Sequence, residues 1–358
     1  MEIKKAQGSY VWDTNNKRYI DFTSSIFTAN VGHSNRQVLK AIRKQTRKPL
    51  LHAYGHKTEV REQYEDALRS YSGKEPFICS TGSEAIEWAI HLIRQYNEKH
   101  NIRGTIYGLE GAFHGKTLGA RALYSETSVA DIKPLKVLPD DMAGLVVETY
   151  EGWSGKFHDI AYIRQLCGIA KQRKALVAFD ETQAGFGRCG MRWGYYYYGV
   201  EPDIIVCGKG MGGGVTLSGV LADKEVMGLA KDLSTTHSGN PLSCACGLAV
   251  LNEIERLDLI REAHRKGFGM HRFLNNVCQR YNIKVNGSGL MAGLIFKTTE
   301  QANALYEYCL ENGLMVVKTN KPSIKIAPPL VISEELLIKG LKIIKGGLCS
   351  LKKSGILE

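Results

Sequence analysis

The sequence predicts an α/β protein, with a mostly parallel central sheet in a large domain and a smaller α+β domain at the C-terminus. Short apolar runs alternate with longer stretches of helical periodicity over the first two thirds of the chain. Near residue 245 this alternation gives way to long helical patterns and a hairpin pattern. The length of 358 residues suffices for one large domain or two joined domains.

Five short apolar runs predict the strands of the large domain. They are residues 105–109, 144–148, 175–180, 203–207 and 217–223. Between two of them, residues 157–174 carry apolar side chains at helical spacing. Ligands in such folds bind beyond the carboxyl ends of the parallel strands, so the residues that follow these runs are the first candidates for a functional site.

The two ends of the chain have a different pattern. Residues 8–25 indicate two strands joined by a turn at Asn15–Asn16, and residues 36–48 indicate a helix. After residue 245 we expect helix with one or two breaks, a hairpin over 284–297, and a closing helix capped by Ser333. We therefore divide the chain into three parts, which are an N-terminal segment packed on the small domain (1–45), a large domain (46–245) and a small domain (246–358).

Composition and cysteine usage predict a cytoplasmic protein. No apolar run reaches the roughly 18 residues that span a bilayer. The charged start "MEIKKAQGSYVW" lacks the apolar segment of a secretory signal. The nine cysteines are scattered, and no CxxC spacing suggests a zinc site. We therefore expect reduced cysteines, no bound metal and no membrane partner.

The formal net charge of +11 raises the question of a polyanionic partner. Basic residues are densest over 36–48, where they fall at steps of three and four with apolar residues on the other side. A solvated amphipathic helix explains this pattern, and no zinc-finger or aromatic RNA-binding signature accompanies it. We expect no nucleic-acid partner. A polyanion-binding protein with a degenerate cofactor site is kept as a distant alternative.

Lys209 lies in the glycine run "GKGMGGG", directly after an apolar run. A Walker phosphate loop needs Ser or Thr after the lysine, where this chain has Gly210. A dinucleotide-binding GxGxxG should open a helix, whereas the residues that follow here suit a turn and a strand. The third interpretation is a lysine that forms a Schiff base with pyridoxal phosphate, which requires a carboxylate against the pyridine nitrogen. Asp180, at the end of another apolar run, is the candidate.

Two further segments offer contacts to such a cofactor. Thr81 and Glu84 have the spacing of a capping box at the start of a helix, where unpaired N–H groups can bind a phosphate. Gly82 lets the backbone approach that phosphate closely. Phe113 and His114 follow a predicted strand and supply a flat neighbour for the pyridine ring.

Together these segments resemble the class III (ω-amino acid type) aminotransferases, which are fold type I pyridoxal-phosphate enzymes. This group includes the acetylornithine, ornithine and 4-aminobutyrate aminotransferases. The resemblance runs from about residue 8 to residue 345. Its most specific parts are "DETQAGFGRCG", "PDIIVCGKGMGGG" and "HSGNPLSCA", in this order and spacing.

The resemblance implies a role for each matching residue. Lys209 matches the Schiff-base lysine, which also moves a proton between substrate and cofactor, and Asp180 matches the carboxylate at the pyridine nitrogen. The other expected cofactor contacts are Thr81, Gly82, Ser83, Phe113, His114 and Gln183, the last near the phenolic oxygen. Thr236 matches a threonine that reaches the phosphate of the neighbouring subunit, which implies a homodimer with shared active sites.

The chain departs from the family pattern at two places. Family members commonly have "EPIQGEGG" where this chain has "ETYEGWSG", so Glu148 is kept and Trp153 is new. They often carry arginine where Lys325 stands in "IKIAPPL", and lysine lacks the planar two-pronged grip of arginine on a carboxylate. We assign Phe27, Tyr54, Glu148, Trp153 and Lys325 to the substrate site, whose aromatic members suit a larger or less charged amino substrate.

The resemblance also implies a reaction. The expected enzyme is an aminotransferase that moves an amino group between a small-molecule donor and an oxo acceptor in two half-reactions. An aminomutase or epimerase, in which the amino group stays on one molecule, is the alternative on the same fold. Gln183 and the motif "GFGR" favour the aminotransferase. The identities of the donor and the acceptor do not follow from the sequence.

Overall fold

The computed structural model describes residues 1–48, 50, 52–53, 56–229 and 232–357 of the chain. Its strands are β1 (Ile3–Gln7), β2 (Tyr10–Asp13), β3 (Arg18–Asp21), β4 (Glu75–Cys79), β5 (Thr105–Leu109), β6 (Ile132–Leu135), β7 (Met142–Glu148), β8 (Leu176–Asp180), β9 (Ile204–Cys207), β10 (Ser218–Ala222), β11 (Lys284–Ser288), β12 (Met291–Ile295), β13 (Leu314–Met315), β14 (Val317–Lys318) and β15 (Ser323–Ile326). Its helices are α1 (Ser24–Phe27), α2 (Arg36–Thr46), α3 (Glu59–Ser72), α4 (Gly82–His100), α5 (Leu118–Ala122), α6 (Ile160–Gln172), α7 (Lys224–Met227), α8 (Pro241–Arg256), α9 (Leu259–Cys278), α10 (Thr299–Glu311) and α11 (Glu334–Lys353).

Seven strands form the central sheet, in the order β4-β10-β9-β8-β7-β5-β6. Six of them run in one direction, and β10 runs antiparallel to its neighbours β4 and β9. The five apolar runs of the sequence form β5, β7, β8, β9 and β10, close to the predicted bounds. The predicted α/β class with a mostly parallel sheet is therefore confirmed.

The central sheet is buried on both faces. Along β7, the side chains of Leu145 and Val147 belong to one hydrophobic core and that of Val146 belongs to the other. Residues of α6 and α8 fill the first core, and residues of α4 fill the second. Burial on both faces explains why these strands appear in the sequence as continuous apolar runs.

Two smaller sheets join the ends of the chain. One has the order β11-β12-β15-β14 and contains the hairpin expected over 284–297. In the other, β2 and β3 pair across the turn at Asn16, whose φ is 61°, and β3 pairs in parallel with β13. The N-terminal segment is thus bonded to the C-terminal third of the chain. The division into 1–45, 46–245 and 246–358 stays a proposal, and α8 (Pro241–Arg256) runs across its second boundary.

Several helices begin at capping residues. Asn35 caps α2 by accepting two backbone N–H bonds at 2.9 and 3.2 Å, and Ser333 caps α11 as predicted. On α2, Arg43 and Lys44 are exposed whereas Val38 is buried, which confirms the amphipathic helix. Within the described ranges, every helix is too short or too polar to cross a bilayer.

Arg188 is fully buried and ties three parts of the chain together. Its guanidinium donates to the carbonyl oxygens of Leu290 and Pro328 at 2.9 and 2.6 Å. It also donates to Asn30 Oδ1 at 2.6 Å and to Ser24 Oγ at 3.2 Å. Burial lowers the pKa of Arg188 to about 10, so the group is still charged at neutral pH. These oxygens compensate for the water molecules that the charged group loses when it is buried.

We expect Arg188→Ala to lower the free energy of unfolding by about 3 kcal/mol or more, because it removes charged donors and leaves buried oxygens unpaired. Urea unfolding of the purified protein measures this loss. The matched control is Arg192→Ala, which removes an exposed arginine that donates to the Tyr71 carbonyl at 3.0 Å. That change should stay within about 1 kcal/mol. Equal losses in both variants would contradict the role of Arg188.

Candidate active site

The carboxyl ends of three neighbouring strands form the site. β7 ends at Glu148 and β8 ends at Asp180, and these two residues are register partners across the parallel ladder. β9 ends at Cys207, and Lys209 begins the 3-10 turn that follows. Because parallel strands end at one edge of a sheet, segments that are remote in sequence bring an amine and two carboxylates together.

These strand ends border a cavity of about 160 Å³. Its lining includes eight residues predicted for the site, namely Gly82, Ser83, Phe113, His114, Glu148, Asp180, Gln183 and Lys209. Gly115 and Thr182 line it as well. The structure therefore brings the predicted lysine, carboxylate, aromatic ring and helix start to one place.

Asp180 is buried and keeps its negative charge. Its Oδ2 lies 2.9 Å from His114 Nδ1, and its Oδ1 accepts from the Thr182 N–H at 3.0 Å. Burial alone would raise the pKa of Asp180, but the bond from His114 and the attraction to that ring outweigh it, and the pKa lies below its ordinary value. Since an ionised carboxylate only accepts, His114 donates through Nδ1.

Lys209 has a strained backbone at the wall of the cavity. Its φ is 42°, in the left-handed region that non-glycine residues rarely adopt. Gly210 follows, and a Cβ there would collide with the side chain of Asn30. Burial lowers the pKa of Lys209, although the charges of Asp180 and Glu148 oppose the shift. More of this amine is therefore uncharged at neutral pH than in an exposed lysine.

Helix α4 begins at the cavity with the predicted capping box. Thr81 Oγ1 accepts from the Glu84 N–H at 3.2 Å, and Glu84 Oε2 accepts from the Thr81 N–H at 3.4 Å. Thr81 itself is exposed, whereas Gly82 and Ser83 line the cavity. Gly115 packs so closely on Ser83 that a Cβ at Gly115 would collide with it. The N–H groups of this first turn form a site for an anion.

Glu148, Gln183 and Lys325 form a hydrogen-bonded chain beside the cavity. Gln183 Nε2 donates to Glu148 Oε1 at 3.2 Å, and Lys325 Nζ donates to Gln183 Oε1 at 2.9 Å. Glu148 Oε2 accepts from the N–H groups of Phe113 and Gly152 at 2.9 and 3.0 Å. Burial raises the pKa of Glu148 to about 7, and burial lowers the pKa of Lys325 to about 7. Near neutral pH, each of these two groups is therefore charged in only a part of the molecules.

Three other predicted residues are not part of the cavity lining. The Phe27 ring is buried, and its centre lies 4.6 Å from Nζ of Lys325. Trp153 is half-buried in the loop after β7. Thr236 is exposed. Tyr54 lies outside the described residues, so its place in the substrate site stays a prediction.

Gly115 and Thr182 belong to the lining but do not follow from the sequence analysis. Gly115 follows His114 directly, and Thr182 lies between Asp180 and Gln183 in the same motif. Adjacency to predicted site residues is the signal in the sequence that could have identified them. Whether a neighbouring residue faces the cavity depends on the direction of the backbone at that position, and the sequence alone does not specify this direction.

The lining fits pyridoxal phosphate by the chemistry of its groups. An amine of lowered pKa can bond to an aldehyde, an ionised buried carboxylate can accept a ring N–H, and a helix start can hold a phosphate. His114 Nε2 is buried at this site and has no hydrogen-bond partner within the described part of the chain. A buried polar atom without a partner is typical of a site that a polar ligand completes.

The model of the family described as Aminotransferase class-III matches residues 1–133 and 124–348. The chain belongs to the class III aminotransferases. The acetylornithine aminotransferase of Archaeoglobus fulgidus is 30% identical over 362 residues, which covers 95% of this chain and 94% of that protein. That of Methanocaldococcus jannaschii is 32% identical over 365 residues, which covers 93% of this chain and 89% of that protein.

Solved structures of related proteins have the same fold. The acetylornithine aminotransferase of Elizabethkingia anophelis superposes with a TM-score of 0.88 at 27% identity, covering 98% of this chain and 94% of that one. The ornithine aminotransferase of Toxoplasma gondii superposes with a TM-score of 0.92 at 22% identity, covering 99% of this chain and 91% of that one. The predicted fold type I architecture is confirmed.

Family membership confirms the predicted activity. This class III aminotransferase moves an amino group between an amino donor and an oxo acceptor in two half-reactions. Its cofactor is pyridoxal 5′-phosphate. The cavity at the ends of β7, β8 and β9 contains the groups that this chemistry needs.

The raised pKa of Glu148 predicts a pH dependence of stability. A carboxyl with a pKa of about 7 in the folded chain stabilises it fully at pH values below its ordinary pKa, and this contribution is lost as the pH rises through 7. Glu148→Gln removes the titration. From pH 5 to pH 8, we expect the wild type to lose about 2 kcal/mol more unfolding free energy than the variant.

Urea unfolding of cofactor-free protein measures this difference, because cofactor binding adds its own pH dependence. The fixed effect of the amide cancels, since only the change between the two pH values is compared within each variant. If the two profiles ran parallel from pH 5 to pH 8, Glu148 would not titrate in this range.

Proposed function

We propose that Lys209 carries pyridoxal phosphate as a Schiff base and that Asp180 holds the pyridine nitrogen protonated. The observation that supports this assignment is that both side chains line one cavity of about 160 Å³, together with the start of α4. A phosphate loop or a dinucleotide site would not need a buried carboxylate in the same cavity as the lysine. A transamination site explains the lysine, the buried carboxylate and the helix start together.

Bound pyridoxal phosphate supplies an aldehyde that condenses with amines and a ring that accepts the electron pair left when a carbon loses its proton. Nζ of Lys209 would hold the cofactor at rest. Once free, it would take the proton from the substrate carbon that bears the nitrogen and deliver it to the cofactor carbon on the other side of that nitrogen. The lowered pKa of Lys209 favours the unprotonated amine that both tasks require.

Asp180 and His114 act as a pair in this proposal. His114 donates to Asp180 Oδ2 and the Thr182 N–H donates to Oδ1, which leaves a second lone pair on each oxygen for a ring N–H. Because the pKa of Asp180 is lowered despite burial, its charge persists and keeps that N–H in place. His114 positions the carboxylate instead of reacting itself.

The phosphate is assigned to the helix start that lines the cavity. Gly82 and Ser83 open α4, where N–H groups lack partners within the helix and the helix dipole is positive. Thr81 supports this end from outside the lining by capping the helix. Phe113 and Gln183 are assigned to the ring face and to the phenolic oxygen, since both line the same cavity as Asp180 and the start of α4.

The relatives suggest the first donor to test. Those reported above are acetylornithine aminotransferases, at 30% and 32% identity. We propose an amino-acid derivative with a terminal amine, such as N-acetylornithine, as a donor. Glu148, Phe27, Trp153 and Lys325 are assigned to its surroundings. Glu148 lines the cavity, Lys325 is bonded to the lining residue Gln183, the Phe27 ring lies against Lys325 Nζ, and Trp153 follows Gly152, which donates to Glu148.

We further propose a homodimer with shared sites. Thr236 is exposed and lies outside the cavity of its own chain, as expected for a residue that serves the phosphate of the partner. Phe113 lines the cavity, yet 44% of its surface is exposed, so a second copy has room to cover this side. All nine cysteines are free thiols, which supports a reducing, cytoplasmic setting.

Lys209→Ala should bind cofactor but lose transamination by a factor of about 10⁴ or more, because it removes both the covalent link and the base. Absorbance and borohydride treatment measure the link, since only a Schiff base is fixed by reduction. Transfer of a ¹⁵N label from N-acetylornithine to 2-oxoglutarate measures the reaction. Substantial transfer by the variant would refute the role of Lys209, and a label that moved to another carbon of the same molecule in the wild type would identify a mutase.

Mixing two impaired variants tests the shared site. Thr236→Val should weaken phosphate binding about tenfold, since it removes one hydrogen bond to a charged group. A heterodimer with Lys209→Ala contains one site that has both residues intact. After subunit exchange, we expect about a quarter of the wild-type sites to be restored at limiting cofactor.

The matched control mixes Lys209→Ala with Asp180→Ala. Both changes affect residues of one chain's cavity, so each site of that heterodimer lacks one of them and no activity should return. Recovery in the control, or none in the test mixture, would contradict the proposed contribution of Thr236. Sedimentation velocity checks that dimers form in both mixtures.

A further inference from the structure

Lys325 uses its donors inside the protein. Its Nζ donates to the Gly152 carbonyl oxygen and, at 2.9 Å, to Gln183 Oε1, and it lies 4.6 Å from the centre of the Phe27 ring. A lysine ammonium has three donors. Two oxygens and one aromatic face account for them, and only 5% of Lys325 is exposed.

These contacts close a ring of hydrogen bonds. Lys325 bonds to Gly152 and Gln183, Gln183 bonds to Glu148 at 3.2 Å, and Glu148 accepts from the Gly152 N–H at 3.0 Å. Gly152 is thus held through both its carbonyl and its amide. A Cβ at Gly152 would lie 2.5 Å from Gln183 Nε2 and 2.6 Å from Glu148 Oε1, so a larger residue would break the ring.

Neighbouring elements hold this ring on two sides. β15 carries Lys325 and also Ser323, whose hydroxyl donates to the Trp153 carbonyl at 2.9 Å. The Phe27 ring lies against Nζ of Lys325 and, at 5.5 Å, the guanidinium of Arg188. Phe27 belongs to α1, where all four residues have positive φ between 47° and 70°. Such a left-handed turn persists only when its surroundings hold it strongly.

We propose that Lys325 is a positioning residue that fixes Gln183 and the loop after β7, and through them Glu148, and that it does not anchor a substrate carboxylate. The inference rests on the proposed function of the cavity. To bind a carboxylate, Lys325 would have to leave an oxygen of Gly152 or Gln183 without its donor in a buried place. A carboxylate on the amino-group donor of the reaction therefore gains no binding energy from Lys325.

Lys325→Met tests this role, because it keeps the length of the side chain and removes the donors. Lys318→Met, on the neighbouring strand β14, is the matched control, since Lys318 is exposed. Hydrogen exchange of residues 149–156 in the holoenzyme as purified is the readout that needs no turnover. We expect exchange there to be faster by about tenfold or more in Lys325→Met and unchanged in Lys318→Met.

Single-turnover kinetics supply the second readout. N-acetylornithine and N-acetylputrescine differ only by one carboxylate. If Lys325 positions the site, Lys325→Met lowers the maximal rate for both donors by a similar factor of about ten, with little change in either half-saturating concentration. Unchanged hydrogen exchange would overturn the proposal. A half-saturating concentration that rose about thirtyfold for N-acetylornithine alone would also overturn it.

Lys325→Arg answers the question if the methionine variant does not fold. Arginine binds a carboxylate through two N–H bonds. If Lys325 bound the substrate carboxylate, the affinity for that carboxylate would therefore be kept or improved by this change. We expect instead faster hydrogen exchange over residues 149–156 and slower turnover of both amino donors. The planar guanidinium of arginine does not fit the ring of hydrogen bonds between Gly152, Gln183 and Glu148. If the wild type transfers no amino group at all, the proposed function fails, while the exchange data still decide the role of Lys325.

Discussion

Two buried carboxylates, those of Glu148 and Asp180, lie side by side at the ends of β7 and β8, and the rest of the site is arranged around them. Like charges in a buried place destabilise a fold unless each is neutralised or hydrogen-bonded. Asp180 is held ionised by His114 and the Thr182 N–H. Glu148 is surrounded by neutral donors instead, and burial raises its pKa to about 7. Equal positions in the ladder thus give two acids with different properties, the usual basis for dividing roles in a catalytic site.

Two buried lysines lie near these carboxylates and are subject to the same cost of burying a charge. Lys209 and Lys325 both face this acidic edge, and burial lowers the pKa of each. They differ in what their Nζ atoms contact. Nζ of Lys325 is committed to Gly152, Gln183 and the Phe27 ring, whereas Lys209 lines the cavity. We therefore assign chemistry to Lys209 and positioning to Lys325.

Part of the backbone strain of the chain lies near the same edge. Lys209 and the four residues of α1 have positive φ without being glycine. Such conformations are unfavourable and persist where the surroundings determine them. Arg188 supplies part of that support by donating to Ser24 Oγ and Asn30 Oδ1 from the large domain. The stability of the interface between the three parts of the chain and the geometry of the site thus depend on shared contacts.

The sequence by itself determined the strands of the central sheet, the capping box at Thr81 and the pairing of Lys209 with Asp180 in one site. These follow from local patterns, because burial on both faces demands apolar runs and because parallel strands end at one edge. The tertiary structure alone decided that β3 pairs with β13, that β10 runs antiparallel, and that the donors of Lys325 turn inward. Each of these depends on contacts between segments far apart in the chain and on side-chain direction, which periodicity does not encode.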